Sequence, residues 1–387
     1  MQPFVKTLDA RGILSFAPDS VPLMLTPLNV LIGPNASGKS NLIEVFELLK
    51  ALPTDLAEVI REGGGVAEWI WKGEGNGARA TIAVEVQVTD ITPVLRYRLE
   101  FGAVGQRVEV LEEAIENAAD GNSYYRLENG RPIFQREPES HTERPSEASR
   151  DFDTRQSIFS QRRDPGRFPE VTVLGTALRY ILTFRDWSFG RSVRLRQPQR
   201  ADLPNDVLLP DARNLGLILN SIEFSDVSPR LSELVRRFLP RFKRLSTKVE
   251  GGTIQIFLWE DGLRTPVPAT RLSDGTLRFI ALLAILLKPD AAPLICLEEP
   301  ELGLHPDALA IIAELLVEAS QQTQLVVMTQ SDVLVSALSE HADSVVVCDN
   351  PGGGSQFSRL DSEKLRFWMD KYRLGDIWRI GELGGNP

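Results

Sequence analysis

The chain has 387 residues, long enough for two lobes or one large α/β domain with insertions. Its 42% hydrophobic and 25% charged residues are ordinary for a soluble globular protein, and a net charge of −10 argues against indiscriminate nucleic-acid binding by the whole molecule. No apolar run reaches the roughly 18 residues of a membrane span, and "MQPFVKTLDARG" lacks the apolar core of a signal peptide, so a cytoplasmic chain without a membrane partner is expected.

Residues 1–52 read as strand, strand, loop and helix. "PLNVLIG" is a short apolar run ending at Gly33, as a buried strand should. From Ser40, apolar Leu42, Val45, Phe46, Leu49 and Leu52 recur at helical spacing until Pro53 stops the helix. "ARATIAVEVQV" and "LRYRLEFGAV" alternate as antiparallel strands with one wet face. Residues 117–170 are polar and are expected to form an insertion with little core of its own. Residues 171–245 read as helix-rich, broken by a loop at 197–213. The short strands "TIQIFLWE" and "RTPVPATRL" lead into "RLSDGTLRFIALLAILL", a helix apolar on nearly every side.

A strand–helix alternation typical of a parallel sheet follows. Its parts are "PLICLEE", a helix from about Pro306 to Ser320, "TQLVVMT", a helix after Ser331, and "DSVVVCD". Cys296 and Cys348 fall in apolar strands and read as small core residues, and two cysteines with three histidines, widely scattered, form no metal-ligand cluster. The expected division is 1–116, the insertion 117–170, a helical lobe with short strands at 171–267, and 268–387.

"GPNASGKS" satisfies the pattern G-x-x-x-x-G-K-[ST], with a strand before it and a helix after it. Backbone N–H groups of Gly33, Pro34, Asn35, Ala36, Ser37, Gly38 and Asn41, so far as each has one, can surround a phosphate at the helix start. Lys39 can reach the β- and γ-phosphates, and the Ser40 hydroxyl can ligate Mg²⁺. At the end of "PLICLEE", Glu298 is placed to support Mg²⁺ and Glu299 to orient or deprotonate a water. The plainer reading of the pair is a solvated acidic strand end. Gln330, in "TQSD", either faces a γ-phosphate or belongs to an ordinary turn capped by Ser331 or Asp332. Ser273 either caps the apolar helix or, with the N–H groups of Gly275 and Thr276, meets an anion.

Together, "GPNASGKSN", "LSDGT", "LEEPELGLHP" and "TQSD", in that order, resemble the P-loop, signature, Walker B with D-loop, and switch region of an ABC-type ATPase. The branch they resemble is that of SMC, RecF and OLD-family proteins, and within it the stand-alone bacterial AAA family ATPases. The resemblance covers 1–52 and about 268–348, and the ending "YRLGDIWRIGELGGN" also looks like that group. It implies an α/β P-loop NTPase fold with an ABC-type core, in which a mixed sheet is joined by an antiparallel β subdomain. A helical lobe would carry the signature motif.

The resemblance further implies ATP and Mg²⁺ at a head-to-tail homodimer interface, with Ser273, Gly275 and Thr276 of one copy reaching the nucleotide of the other. A separately encoded nuclease or toxin effector, in DNA repair or anti-phage defence, is the implied partner. Three positions depart from the branch: Glu298 stands in the usual Asp place, Gln330 in the place of the switch His, and Asp274 in the place of a signature Gly. These departures point to slow turnover. Gln161 is the first candidate for the glutamine linking lobe to nucleotide, with Gln156, Gln197 and Gln199 as rivals. Two other functions stay open. One is a RecF-like DNA-binding ATPase using the basic clusters 191–200 and 236–245. The other is an ATP-dependent scaffold for an effector with little turnover.

Overall fold

The computed structural model describes residues 2–73, 79–89, 93–134, 152–185, 187, 189–190, 193–288 and 292–384. The chain folds as two compact units. The first takes Met1–Ile181, Asp343–Leu360 and Leu383–Pro387, and the second Leu182–Ala342 and Asp361–Glu382.

The first unit is built on an antiparallel sheet of seven strands. They are β1 (Val5–Arg11), β2 (Leu23–Met24), β4 (Arg79–Val86), β5 (Leu95–Val104), β6 (Arg107–Asn117), β7 (Ser123–Glu128) and β8 (Arg131–Phe134), in the order β2-β1-β4-β5-β6-β7-β8. Alternation puts Ala80, Ile82 and Val84 of β4 and Tyr97 and Leu99 of β5 in the core. The other face carries cross-strand ion pairs such as Arg96–Glu85 at 2.7 Å and Arg98–Glu112 at 3.4 Å. β3 (Leu28–Ile32), buried throughout, leads through the glycine-rich loop into the helix Lys39–Ala51.

The expectation that 117–170 has little core of its own does not hold for its described part, while 135–151 lie outside the described residues. β7 and β8 extend the sheet and bury Tyr125 and Leu127, and Ile158 and Phe159 are buried as well. The physical reason is Glu113. Its buried carboxylate accepts from Tyr97 Oη at 2.7 Å, Tyr125 Oη at 3.1 Å, the Ser157 hydroxyl and the Ile158 N–H at 3.0 Å. A polar stretch is thus pinned to the sheet by one satisfied buried acid. Burial raises the Glu113 pKa despite these donors.

The second unit begins with β9 (Leu182–Phe184). It also holds the strands β10 (Gln199–Arg200), β11 (Phe242–Glu250), β12 (Thr253–Glu260) and β13 (Val267–Pro268), in which β12 pairs with each of the others. The helices Leu215–Glu223 and Ser228–Phe238 precede β11, so the expected helix-rich segment ends in strand from Phe242. Only Val267 and Pro268 of "RTPVPATRL" are strand; a 3₁₀ turn at Ala269–Arg271 follows.

The helix Asp274–Leu286 is buried from Thr276 to Leu286 and packs against Leu215–Glu223 and against the helix Pro306–Ala319. β14 (Leu294–Glu298) lies parallel between β9 and β15 (Gln324–Met328), and the helix Pro306–Ala319 makes the crossover. The chain then returns to the first unit, where β16 (Val345–Asp349) pairs parallel with β3 and antiparallel with β17 (Gln356–Arg359). Cys296 and Cys348 are both buried and unlinked. Among the described residues no helix is long and apolar enough to cross a membrane.

Candidate functional site

In the first unit, the loop between β3 and the helix Lys39–Ala51 folds around the Lys39 ammonium. Lys39 is 5% exposed, and its Nζ donates to the carbonyls of Gly33 and Pro34, both at 2.7 Å. Ala36 sits in the left-handed region at φ 63° and Gly38 at φ 100°. Gly38 is required twice over: the left-handed φ suits glycine, and an added Cβ would lie 1.9 Å from Ser355 Oγ. Ser355 and Ser15 share a 2.7 Å hydroxyl bond behind the loop, a support not read from the sequence. No side chain caps the helix at Gly38. The helix N-terminus, with the Ser40 hydroxyl in its first turn, is the kind of end that favours an anion.

In the second unit, strand pairing brings the acids and the switch residue together. Glu298 ends β14, opposite Met328 of β15. The Glu299 N–H donates to the Met328 carbonyl at 2.8 Å, and Glu299 turns out of the strand at φ 45°, a left-handed conformation that costs a non-glycine residue about 1 kcal/mol. The Gln330 amide donates to the Glu299 carboxylate. Ser331 also caps the helix Asp332–Ala337, as the turn reading of "TQSD" has it, while the Gln330 side chain lies against Glu299.

Four residues here were not singled out from the sequence. Arg185, one step beyond the Phe184–Leu297 pair of neighbouring parallel strands, donates to Glu298 at 2.6 Å. Arg278 donates to the carbonyls of Glu299 at 3.3 Å and Trp187 at 2.8 Å, and burial lowers its pKa. Glu301 accepts from Thr329 Oγ1 at 2.7 Å and the Gln330 N–H at 2.8 Å. Arg196, 3% exposed, donates to the carbonyls of Phe189, Ala269 and Leu272 and to the Asp274 carboxylate. Arginine in a basic run gives no sign in sequence that its partners are distant carbonyls.

The signature stretch departs from expectation in one respect. Ser273 Oγ accepts the Thr276 N–H at 3.0 Å and lies 2.7 Å from Thr276 Oγ1. Ser273 is the N-cap, and the Thr276 N–H points to it, not outward. Ser273 and Asp274 are exposed. Gly275 is needed because an added Cβ would stand 2.7 Å from the Gly303 carbonyl oxygen.

Gln161 is committed to its own loop through Asp153, Gln156 and Ser157. Gln156 bonds Asp55 and Leu56, and Gln199 bonds Leu195 and Gly216, while Gln197 is exposed. The basic clusters are partly neutralised. Arg196 is buried, Arg200 pairs with Asp202, and Arg237 reaches Glu314 at 2.8 Å; Arg191 and Ser192 lie outside the described residues.

A family profile described as "AAA domain, putative AbiEii toxin, Type IV TA system" matches residues 28–336. The chain belongs to this family. None of the curated proteins matches this AAA domain chain. Among solved structures it is similar to an Smc head bound to the C-winged helix domain of ScpA. Identity there is 18% and the TM-score 0.58, over 94% of this chain and 100% of that one. It is similar also to the Smc head of Pyrococcus furiosus, with an extended coiled coil and bound to the C-terminal domain of ScpA. That match has 16% identity and TM-score 0.58, over 96% and 99% of the two chains. The Smc head with coiled coil and joint from Pyrococcus yayanosii gives 15% identity and TM-score 0.51 over the same shares. The fold of this AAA domain protein is thus the P-loop NTPase fold of SMC heads, mixed α/β with parallel and antiparallel strands.

Proposed function

We propose that this AAA/SMC-like ATPase binds Mg-ATP and hydrolyses it slowly, as a nucleotide-gated switch read by a separate effector protein. The observation that carries the reading is the Glu299–Gln330 pair. A carboxylate held by an amide at the end of a parallel strand, in a chain with an intact P-loop, is the arrangement a water-activating base needs. Lys39 and the backbone of the loop before the helix Lys39–Ala51 bind the phosphates. Oxygen donors suit Mg²⁺, and the Ser40 hydroxyl is the group of the P-loop helix that would hold it. When bound, the ion neutralises phosphate charge. Arg185 engages a Glu298 oxygen at 2.6 Å, an ion pair that offsets the charge of this acid at the strand end. Glu299 orients the attacking water and takes its proton.

Pairing of two copies is part of the proposal. Ser273 and Asp274 are exposed at the start of a helix that is otherwise buried, a polar surface suited to a second copy's nucleotide. The Thr276 N–H, already bonded to Ser273, is left out of that contact. Light scattering with Mg-ATP tests this in the Glu299→Gln background. The chain should pair on adding ATP, and Ser273→Arg should abolish pairing while ATP binding persists. Loss of the cap costs about 1 kcal/mol, so folding of the variant is checked by melting. Pairing that survives Ser273→Arg, or a dimer indifferent to nucleotide, removes this part of the reading.

A further inference from the structure

Glu301 stands two residues beyond the proposed base, in the turn "EPEL". One of its oxygens, Oε1, accepts from both Thr329 Oγ1 at 2.7 Å and the Gln330 N–H at 2.8 Å. The other, Oε2, is buried with no hydrogen-bond partner among the described residues. Desolvating a carboxyl oxygen without a partner is unfavourable by about 1–3 kcal/mol, so a stability argument alone does not account for an acid here. Burial correspondingly raises its pKa.

What the acid does is geometric. The ends of β14 and β15 are laced in both directions. Glu299 donates its N–H to Met328, and Thr329 and Gln330 donate back to Glu301. From this lacing the Gln330 side chain projects onto the Glu299 carboxylate. The Glu299 carbonyl is held from behind by the Leu302 N–H at 3.1 Å and by Arg278 Nη1 at 3.3 Å. Glu299 is thus fixed by its backbone on one side and by Gln330 on the other, and the backbone of Gln330 is fixed by Glu301.

We propose that Glu301 is a positioning residue. By holding Thr329 and the Gln330 N–H it sets the Gln330 amide against the Glu299 carboxylate. This rests on the reading of Glu299 as the base, but the contact itself is measurable without turnover.

Three variants test it. Glu301→Ala removes the acceptor, Glu301→Gln keeps an oxygen in its place, and Gln330→Ala removes the amide being positioned. Glu301→Ala should lower kcat by about 10- to 100-fold, the loss expected of a misplaced catalytic group, with ATP affinity unchanged. Glu301→Gln should retain most of the rate. In the Gln330→Ala background, Glu301→Ala should cause no further loss, because the group it positions is gone. Losses that multiply, or a Glu301→Gln rate as low as that of Glu301→Ala, overturn the proposal.

The second readout is the Gln330 side-chain amide resonance, assigned by its absence in Gln330→Ala. Its chemical shift should carry the Glu299 carboxylate contact in the wild type and in Glu301→Gln, and move to that of a free amide in Glu301→Ala. An unchanged resonance in Glu301→Ala overturns the positioning role. A wild type without turnover overturns the base assignment, and the resonance then decides the positioning role by itself.

Discussion

Arg196 and Asp274 are joined at the first turn of the signature helix, the guanidinium buried and the carboxylate reaching it from the exposed helix start. In the pairing proposed above, Asp274, which stands where the ABC-type pattern has glycine, would approach a second copy's γ-phosphate, and Arg196 would supply the counter-charge there.

Arg196 and Asp274 should not be energetically equivalent. Arg196→Met leaves the carbonyls of Phe189, Ala269 and Leu272 without their donor and should destabilise the protein by about 2–4 kcal/mol. Asp274→Gly removes a mostly exposed partner and should cost about 0–1 kcal/mol. Urea unfolding of both variants checks this. Equal losses would mean that the carboxylate, not the three carbonyls, is the partner that matters.

Lys39→Ala should weaken ATP binding by about 10- to 100-fold, the equivalent of one charge-assisted hydrogen bond. Calorimetric titration with Mg-ATP measures it. Unchanged affinity would remove the P-loop assignment. Because Lys39 also ties the Gly33 and Pro34 carbonyls, the melting temperature should fall modestly as well.

Glu113 makes a pH prediction. Burial raises its folded-state pKa above that of the unfolded chain, so between the two values the folded state binds more protons. Its contribution to stability is therefore present below the unfolded pKa and is lost as pH rises through the folded one. Glu113→Gln cannot ionise and should show a flatter stability profile over that window, by denaturant unfolding at pH 4 to 8 in steps of about one unit. Parallel profiles for the two proteins would show that Glu113 does not titrate there. Glu113→Ala, which leaves four donors stranded, should cost about 3–5 kcal/mol.

The parts of this protein legible in its sequence are those whose partners are near in the chain. The P-loop can be read because strand, glycines, Lys39 and helix are contiguous, and the place of Glu298 and Glu299 at a strand end because an apolar run stops there. The strands β4 and β5 could be read because alternation is local. The core of the described part of 117–170 is not legible in sequence, because Tyr125, Ile158 and Phe159 are separated by charged residues and are gathered by Glu113, which in "LEEAIEN" looks like one more wet strand position. Arg196, Arg278 and Glu301 are not legible because their partners, most of them backbone groups, are remote in sequence, and a residue type carries no mark of such partners. Ser273 shows the limit from the other side. The cap is legible in sequence, but that it takes the Thr276 N–H, which the anion-contact alternative turns outward, is not.

The most direct measurement of the central claim is phosphate release from Mg-ATP by the wild-type chain and by Glu299→Gln, at equal concentration and with ATP binding confirmed for both. The account predicts slow but measurable release by the wild type and a fall of at least about 100-fold in Glu299→Gln, the usual contribution of a general base. Equal release by the two proteins would contradict it.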